Sequence, residues 1–196
     1  MTKEESKIMR TTVFILTILL AGLASAQDKG KGKAAPPPPM KFMIAPFSDG
    51  GEIPTKFTCS AQPSAVSPAM SWNTVPSSAV TLALIMHDPD VAMRKAPEDV
   101  VHWMWWNLPA STAQLPEGVP TTGDLEGGGT QGNNVAGRPG YFGPCPPPPA
   151  PHHYTFELYA LDTKLDLAAG ASRADLLKAM EGHVVGKAVY IGSFHR

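Results

Sequence analysis

The stretch Val100–Leu108, VVHWMWWNL, decides the fold. β-Branched and aromatic residues fill it and Pro109 stops it, a composition that suits a pleated, buried strand. Working outward, Val80–His87 (VTLALIMH) is a continuous apolar run bounded by Pro76-Ser77-Ser78 and by Asp88-Pro89. Lys41–Ala45 (KFMIA), Tyr154–Leu161 (YTFELYAL) and Ala188–Phe194 (AVYIGSF) are strand-like as well. Short strands separated by Gly/Pro turns predict an all-β sandwich or barrel. One helix stands out near the end of the chain. Ser172 can cap it, Asp175 sits in capping-box position, and Gly182 supplies a stop. Leu176, Leu177 and Met180 form its apolar stripe, expected to pack on one sheet.

With 196 residues and a net charge of -1, the chain suits one globular domain with no basic excess for nucleic acid. The first forty residues stand apart. Val13–Ala24 is an apolar run too short to span a bilayer, which takes about 20 residues. It ends in Ala24-Ser25-Ala26, a small-x-small pattern, so residues 1–26 read as a secretory signal peptide rather than a retained anchor. The protein is then exported, to a periplasmic or extracellular location. Residues 27–40 (QDKGKGKAAPPPPM) have little to bury and read as a disordered Pro/Lys/Gly linker. The folded domain is expected over 41–196. A domain of about 150 residues hides ~70% of the surface its unfolded chain exposes, enough for a core. Cys59 and Cys145 are its two cysteines. Export permits a disulfide between them, and two free thiols remain the alternative.

Three places set polar groups beside apolar strands: His87–Asp90 (HDPD), His102 inside the tryptophan-rich strand, and the proline loop Gly140–Tyr154 (GYFGPCPPPPAPHHY) with His152 and His153. By strand alternation His102 shares a face with Met104 and Trp106. Taken alone, a histidine there reads as a satisfied core residue. Two aspartates and two histidines, each beside a rigid turn, instead suggest one small polar pocket. Four chemistries compete for it. Metal binding has suitable ligands but no HxH or HExxH spacing. Ser/His/Asp hydrolysis lacks a GxSxG elbow. Asp88 and Asp90 could act as paired carboxylates, or simply form a turn. An anion pocket would use protonated histidines and backbone N–H groups around Gly143 and Cys145, with the carboxylates orienting the rings.

The segments DPD, VHWMWWNLP and GYFGPCPPPPAPHHY resemble the two signature regions of the phosphatidylethanolamine-binding protein family, in its bacterial Raf-kinase-inhibitor-like branch. GGEIPTKFTC, SPAMSW, TLALIMHDPD, QGNNVAG, FELYALDTKLDL and LLKAMEGHVVGKA extend the likeness over Phe42–His195. The resemblance implies a sandwich of two antiparallel β-sheets with a small number of C-terminal helices. It also implies a pocket for phosphate-type anions or phospholipid head groups, walled by Asp88, Asp90, His102, Gly143, Pro144, Pro146, Pro147, His152 and Tyr154. No cofactor, metal or catalytic turnover is implied. The expected function is non-catalytic binding of such an anion. The alternative is a secreted inhibitor or regulator of a protease or kinase acting through the same surface, and a homodimer is a further candidate assembly.

Three departures stand out. His153 replaces the family's usual Arg, exchanging a permanent cation for a pH-dependent one. Val100 stands where an aromatic is often found. Arg94 and Lys95 are placed in solvent.

Overall fold

The computed structural model describes residues 38–91, 99–125 and 127–196. Val13–Ala24, residues 27–37 of the expected linker, and Arg94 and Lys95 lie outside them. Among the described residues, nine strands and one α-helix follow one another: β1 (Lys41–Ile44), β2 (Gly51–Glu52), β3 (Met70–Asn73), β4 (Thr81–Asp88), β5 (Val100–Pro109), β6 (Gln114–Leu115), β7 (Thr130–Gln131), β8 (His152–Leu161), α1 (Arg173–Met180) and β9 (Val184–Phe194). They form a three-stranded sheet, β1-β3-β6, and a six-stranded sheet, β2-β9-β8-β4-β5-β7.

β4 explains its own sequence. It lies between β8 and β5 and is buried along its whole length, so both of its faces must be apolar. Its even residues Leu82, Leu84 and Met86 face a core shared with Phe42, Ile44, Met70 and Trp72 of the small sheet. Aromatic contacts tie the sheets together, with Trp72 and Trp105 at 6.2 Å and Phe42 and Tyr190 at 6.1 Å between ring centroids. Met40 is buried in the same core. The odd residues Ala83 and Ile85 join Met104, Trp106, Leu176 and Met180 on the other face, under α1.

The expected sheets are corrected in one respect. The six-stranded sheet is antiparallel except at its edge, where Gly51 and Glu52 run parallel to Gly192 and Ser193. The helices are corrected too, because α1 is the single α-helix among the described residues. Its N-terminus is the predicted capping box: Ser172 Oγ accepts from Asp175 N, and an Asp175 carboxylate oxygen accepts from Ser172 N. Gly182, at φ 81°, sits just past its end in the left-handed region that glycine tolerates. Leu176 and Met180 are buried, but Leu177 is exposed, so the stripe in contact with the sheet is narrower than expected. The helix is only eight residues long, and one turn of facing side chains suffices to cover the sheet there.

In the long segment from Gly118 to Gly140, one polar side chain bonds both to the core and to the loop itself. Gln131 is fully buried; its Oε1 accepts from Trp103 Nε1 at 2.7 Å, and its Nε2 donates to Pro120 O and Thr122 O. The tryptophan strand thereby satisfies a buried indole and organises the loop with the same bond.

Candidate functional site

The site forms where β4, β5 and β8 run out of apolar residues at one end of the core. Alternation carries the inner face of β4 from Leu84 and Met86 to Asp88. It likewise carries β8 from Phe156 to Tyr154 and His152. All three site residues are buried. Across these strands, His152 Nδ1 lies 2.8 Å from Asp88 Oδ2.

His102 arrives there by a different route. Met86 pairs with Trp103 and His87 with Val101, so His102 is an extra residue in β5, a β-bulge. Val101 packs on the helix side of the sheet and Trp103 on the inner side. The bulge turns His102 inward beside Trp103, which corrects the expected face shared with Met104 and Trp106. Its ring meets Tyr154 edge-on, with centroids 5.0 Å apart. Its Nδ1 donates to Phe142 O at 2.8 Å, and Phe142 N donates back to His102 O at 2.9 Å. Burial pushes the His102 pKa down, an effect the Phe142 carbonyl and the Asp88 charge only partly offset.

Both imidazoles are therefore pinned through Nδ1, one by a carbonyl and one by a carboxylate, and Nε2 of neither is hydrogen-bonded among the described residues. Tyr154 completes the group. Its Oη is buried beside Asp88 and Cys145 with no hydrogen bond of acceptable geometry. Burial, then the negative charge of Asp88, pushes the phenol pKa up, so it stays a neutral donor.

Asp90 sits at the exposed edge. Its backbone N–H donates to Asp88 Oδ1 at 2.9 Å, and its own Oδ2 accepts from His153 N at 2.6 Å, with His153 Nδ1 at 2.9 Å. Burial raises its pKa, but the His153 backbone, ring and charge outweigh this and hold the carboxyl below its usual range. His153 thus faces away from the buried pair and clamps the Asp88–Asp90 turn.

The proline loop supplies the rim. Cys59 and Cys145 are joined by a disulfide, with Cα atoms 5.3 Å apart, which resolves the choice left open by the sequence. Cys59 N donates to Pro144 O, Tyr141 Oη donates to Phe57 O, and Arg196 Nε donates to Pro146 O. Gly143 is packed so tightly that a Cβ would lie 2.8 Å from Ala65 Cβ and 3.0 Å from Phe57 O. Gly143, Pro144 and Pro146 are buried, whereas Pro147 is exposed.

A second polar cluster, not anticipated from the sequence, lies on the opposite face of the same sheet. His87 points away from Asp88, as neighbours in a strand must. Its Nδ1 lies 2.5 Å from Asp99 Oδ2, and Asp99 also pairs with Arg173 of α1. Glu157 accepts from Lys187 Nζ at 2.6 Å and from Tyr159 Oη at 2.9 Å. Burial works against its ionisation, but those two partners hold its pKa down. The apolar run around His87 hid this cluster, since its partners are remote in the chain.

The match to known proteins follows the same elements. The family model for phosphatidylethanolamine-binding protein covers residues 44–195. The chain belongs to the phosphatidylethanolamine-binding protein family. It is 49% identical over 158 residues to a UPF0098 protein of Methanothermobacter thermautotrophicus, spanning 80% of this chain and 99% of that one. A UPF0098 protein of Chlamydia muridarum is 38% identical over 80% of this chain and 99% of its own length. Among solved structures, a phosphatidylethanolamine-binding protein homologue of Chlamydia trachomatis superposes with a TM-score of 0.72 at 36% identity, over 81% of this chain and 98% of that one. Escherichia coli YbcL, described as a new member of the mammalian family, gives a TM-score of 0.72 at 26% identity, over 81% of this chain and 99% of that one. Within the family the likeness is to the bacterial branch that contains YbcL.

Of the nine residues to which the phosphatidylethanolamine-binding protein signatures point, Asp88, His102, His152 and Tyr154 come together as the buried group. Gly143, Pro144 and Pro146 form the buried rim, and Asp90 and Pro147 lie at its outer edge. Val100 is half-buried at the start of β5.

Proposed function

We propose that this chain is a non-catalytic binding protein whose pocket takes a phosphate-type anion, free or as a phospholipid head group. One observation carries the reading: two buried histidines are fixed through Nδ1 and keep Nε2, beside a buried tyrosine hydroxyl that has no partner of its own. A phosphate-type anion carries several acceptor oxygens, which suits two such rings once they are protonated. An unsatisfied buried donor costs about 1–3 kcal/mol, so the pocket favours an acceptor. The disulfide and the prolines hold the rim in one conformation, so little ordering entropy is lost on binding. The carboxylates are engaged by histidines, which suits orientation better than acid–base turnover.

The test is calorimetric titration with inorganic phosphate and with glycerophosphoethanolamine at two pH values. Binding that strengthens as pH falls, and that weakens in His102→Ala or His152→Ala without global unfolding, supports the reading. Unchanged affinity in both variants makes the histidines structural.

We further propose that the protein is exported with cleavage after Ala26. A disulfide between Cys59 and Cys145 suits an oxidising compartment. N-terminal sequencing of protein from its native host should begin at Gln27; an intact Val13–Ala24 segment would overturn this.

A further inference from the structure

The group described above contains no fixed positive charge. Asp88 and Asp90 are acids, and a histidine is a cation only below its own pKa. Arg196 lies two residues beyond Phe194, the residue of β9 that pairs with His152. It is exposed, and its Nε donates to Pro146 O of the rim at 2.7 Å. That bond uses one of five guanidinium donors. Arg196 forms no ion pair among the described residues. Asp88 and Asp90, the acids of the site, are engaged by His152 and His153.

We propose that Arg196 is the fixed cation of the anion pocket, planted on the rim through Nε and offering its remaining N–H groups to a phosphate-type oxygen. This rests on the anion-binding reading above. The placement follows from chemistry that arginine alone supplies. A planar fork can spend one edge on a carbonyl and still present another to an anion, and it stays charged at every pH the protein meets. His102 is pushed toward neutrality by burial, so Arg196 is the charge that persists when that ring is deprotonated. A phosphodiester head group and free phosphate share the recognised feature, the non-bridging oxygens.

The experiment is calorimetric titration of the full chain with dimethyl phosphate, whose single charge does not change between pH 6 and pH 8, with inorganic phosphate at pH 8 as a parallel arm. Wild type, Arg196→Gln and Arg196→Lys are compared at two salt concentrations. Wild type should still bind at pH 8. The Gln variant should bind roughly tenfold more weakly there, the scale of one charge-assisted hydrogen bond. It should also show a flatter salt dependence, and the Lys variant, which keeps the charge without the fork, should restore the salt dependence and only part of the affinity. The ratio between the two probes separates a lipid-type diester from free phosphate. Equal affinity and salt dependence in wild type and the Gln variant would overturn the proposal. So would equal losses in the Gln and Lys variants, because that pattern follows the bond to Pro146 and not the charge. Binding by wild type at pH 6 but not at pH 8 would assign the cation to the histidines and overturn the role of Arg196 alone. No binding of dimethyl phosphate at either pH, nor of inorganic phosphate at pH 8, would remove the anion-binding reading, and this inference with it.

Discussion

His152 Nδ1 and Asp88 Oδ2, 2.8 Å apart, join the first residue of β8 to the last residue of β4. Both are buried, so the pair is fixed in a low-dielectric setting where an unmatched partner is costly. The second oxygen of Asp88 accepts the Asp90 N–H. One carboxylate thus holds a ring and a turn together.

Asp88→Asn should weaken binding of a phosphate-type anion. An amide presents only one acceptor atom, so either the ring or the turn loses its bond, at about 1–3 kcal/mol of stability. Calorimetric titration, with the unfolding midpoint in urea as control, reads both effects. Tighter binding would mean that Asp88 acts mainly by repelling the anion.

Burial lowers the His102 pKa in the folded chain, while the unfolded chain keeps a value near 6.5. The unfolded state therefore takes up the proton first. The stabilisation from this residue is fully present above about pH 6.5 and is lost as pH falls toward the folded value. In a buffer without phosphate or sulfate, Tm should decline over that window, and His102→Gln should flatten the decline. An anion that prefers the protonated ring should reverse part of it, so added phosphate should raise Tm more at pH 5.5 than at pH 7.5. Equal stabilisation at the two values would count against the role of His102.

Cys59 and Cys145 are 86 positions apart, and closing so long a loop stabilises the fold by about 4–5 kcal/mol on a chain-entropy basis. Denaturant unfolding with and without reductant should show a loss of that order. The Cys59→Ser/Cys145→Ser variant should lose anion affinity as well, because the rim is then held by hydrogen bonds and packing without a covalent link. A reduced protein with unchanged affinity would show that the prolines suffice.

Gly143→Ala places a methyl group against Ala65, Phe57 O and Thr58 C, two of them backbone groups that cannot yield cheaply. A shift of the rim and a loss of about 1–3 kcal/mol are expected. Gly118→Ala offers a contrast: the new Cβ meets open space, but φ is 73°, so the cost there is backbone strain. Anion affinity should fall in the first variant and not in the second.

The elements legible in the sequence were those whose burial is one-dimensional. β1, β4, β5, β8 and β9 carry apolar runs that any sheet would demand, and Ser172 with Asp175 announces a helix start regardless of context. β2, β6 and β7 are two residues each, too short for any period, and exist only because a longer strand lies beside them. The family motifs brought out the buried group and its rim. Three features stayed hidden because they depend on remote partners: the turn of His102 toward Tyr154, the pairing of His87 with Asp99 and of Asp99 with Arg173, and the seat of Arg196 on Pro146. The disulfide was undecided for the same reason, since spacing says nothing about whether two segments meet in space. Leu177 was misplaced because helical periodicity gives the width an apolar face can have, not the width its neighbour covers.

The site exists because β5 holds one residue more than its partner between Val101 and Trp103. Excising that surplus would remove one of the two register shifts between β4 and β5, and by pairing criteria alone the edited sheet would look improved. His102 would then leave the buried group, and Tyr154 would lose its aromatic neighbour. A redesign that rewards regular geometry is therefore set to dismantle the candidate site while raising the melting point, and any effort to harden this scaffold must treat the irregularity as a protected position.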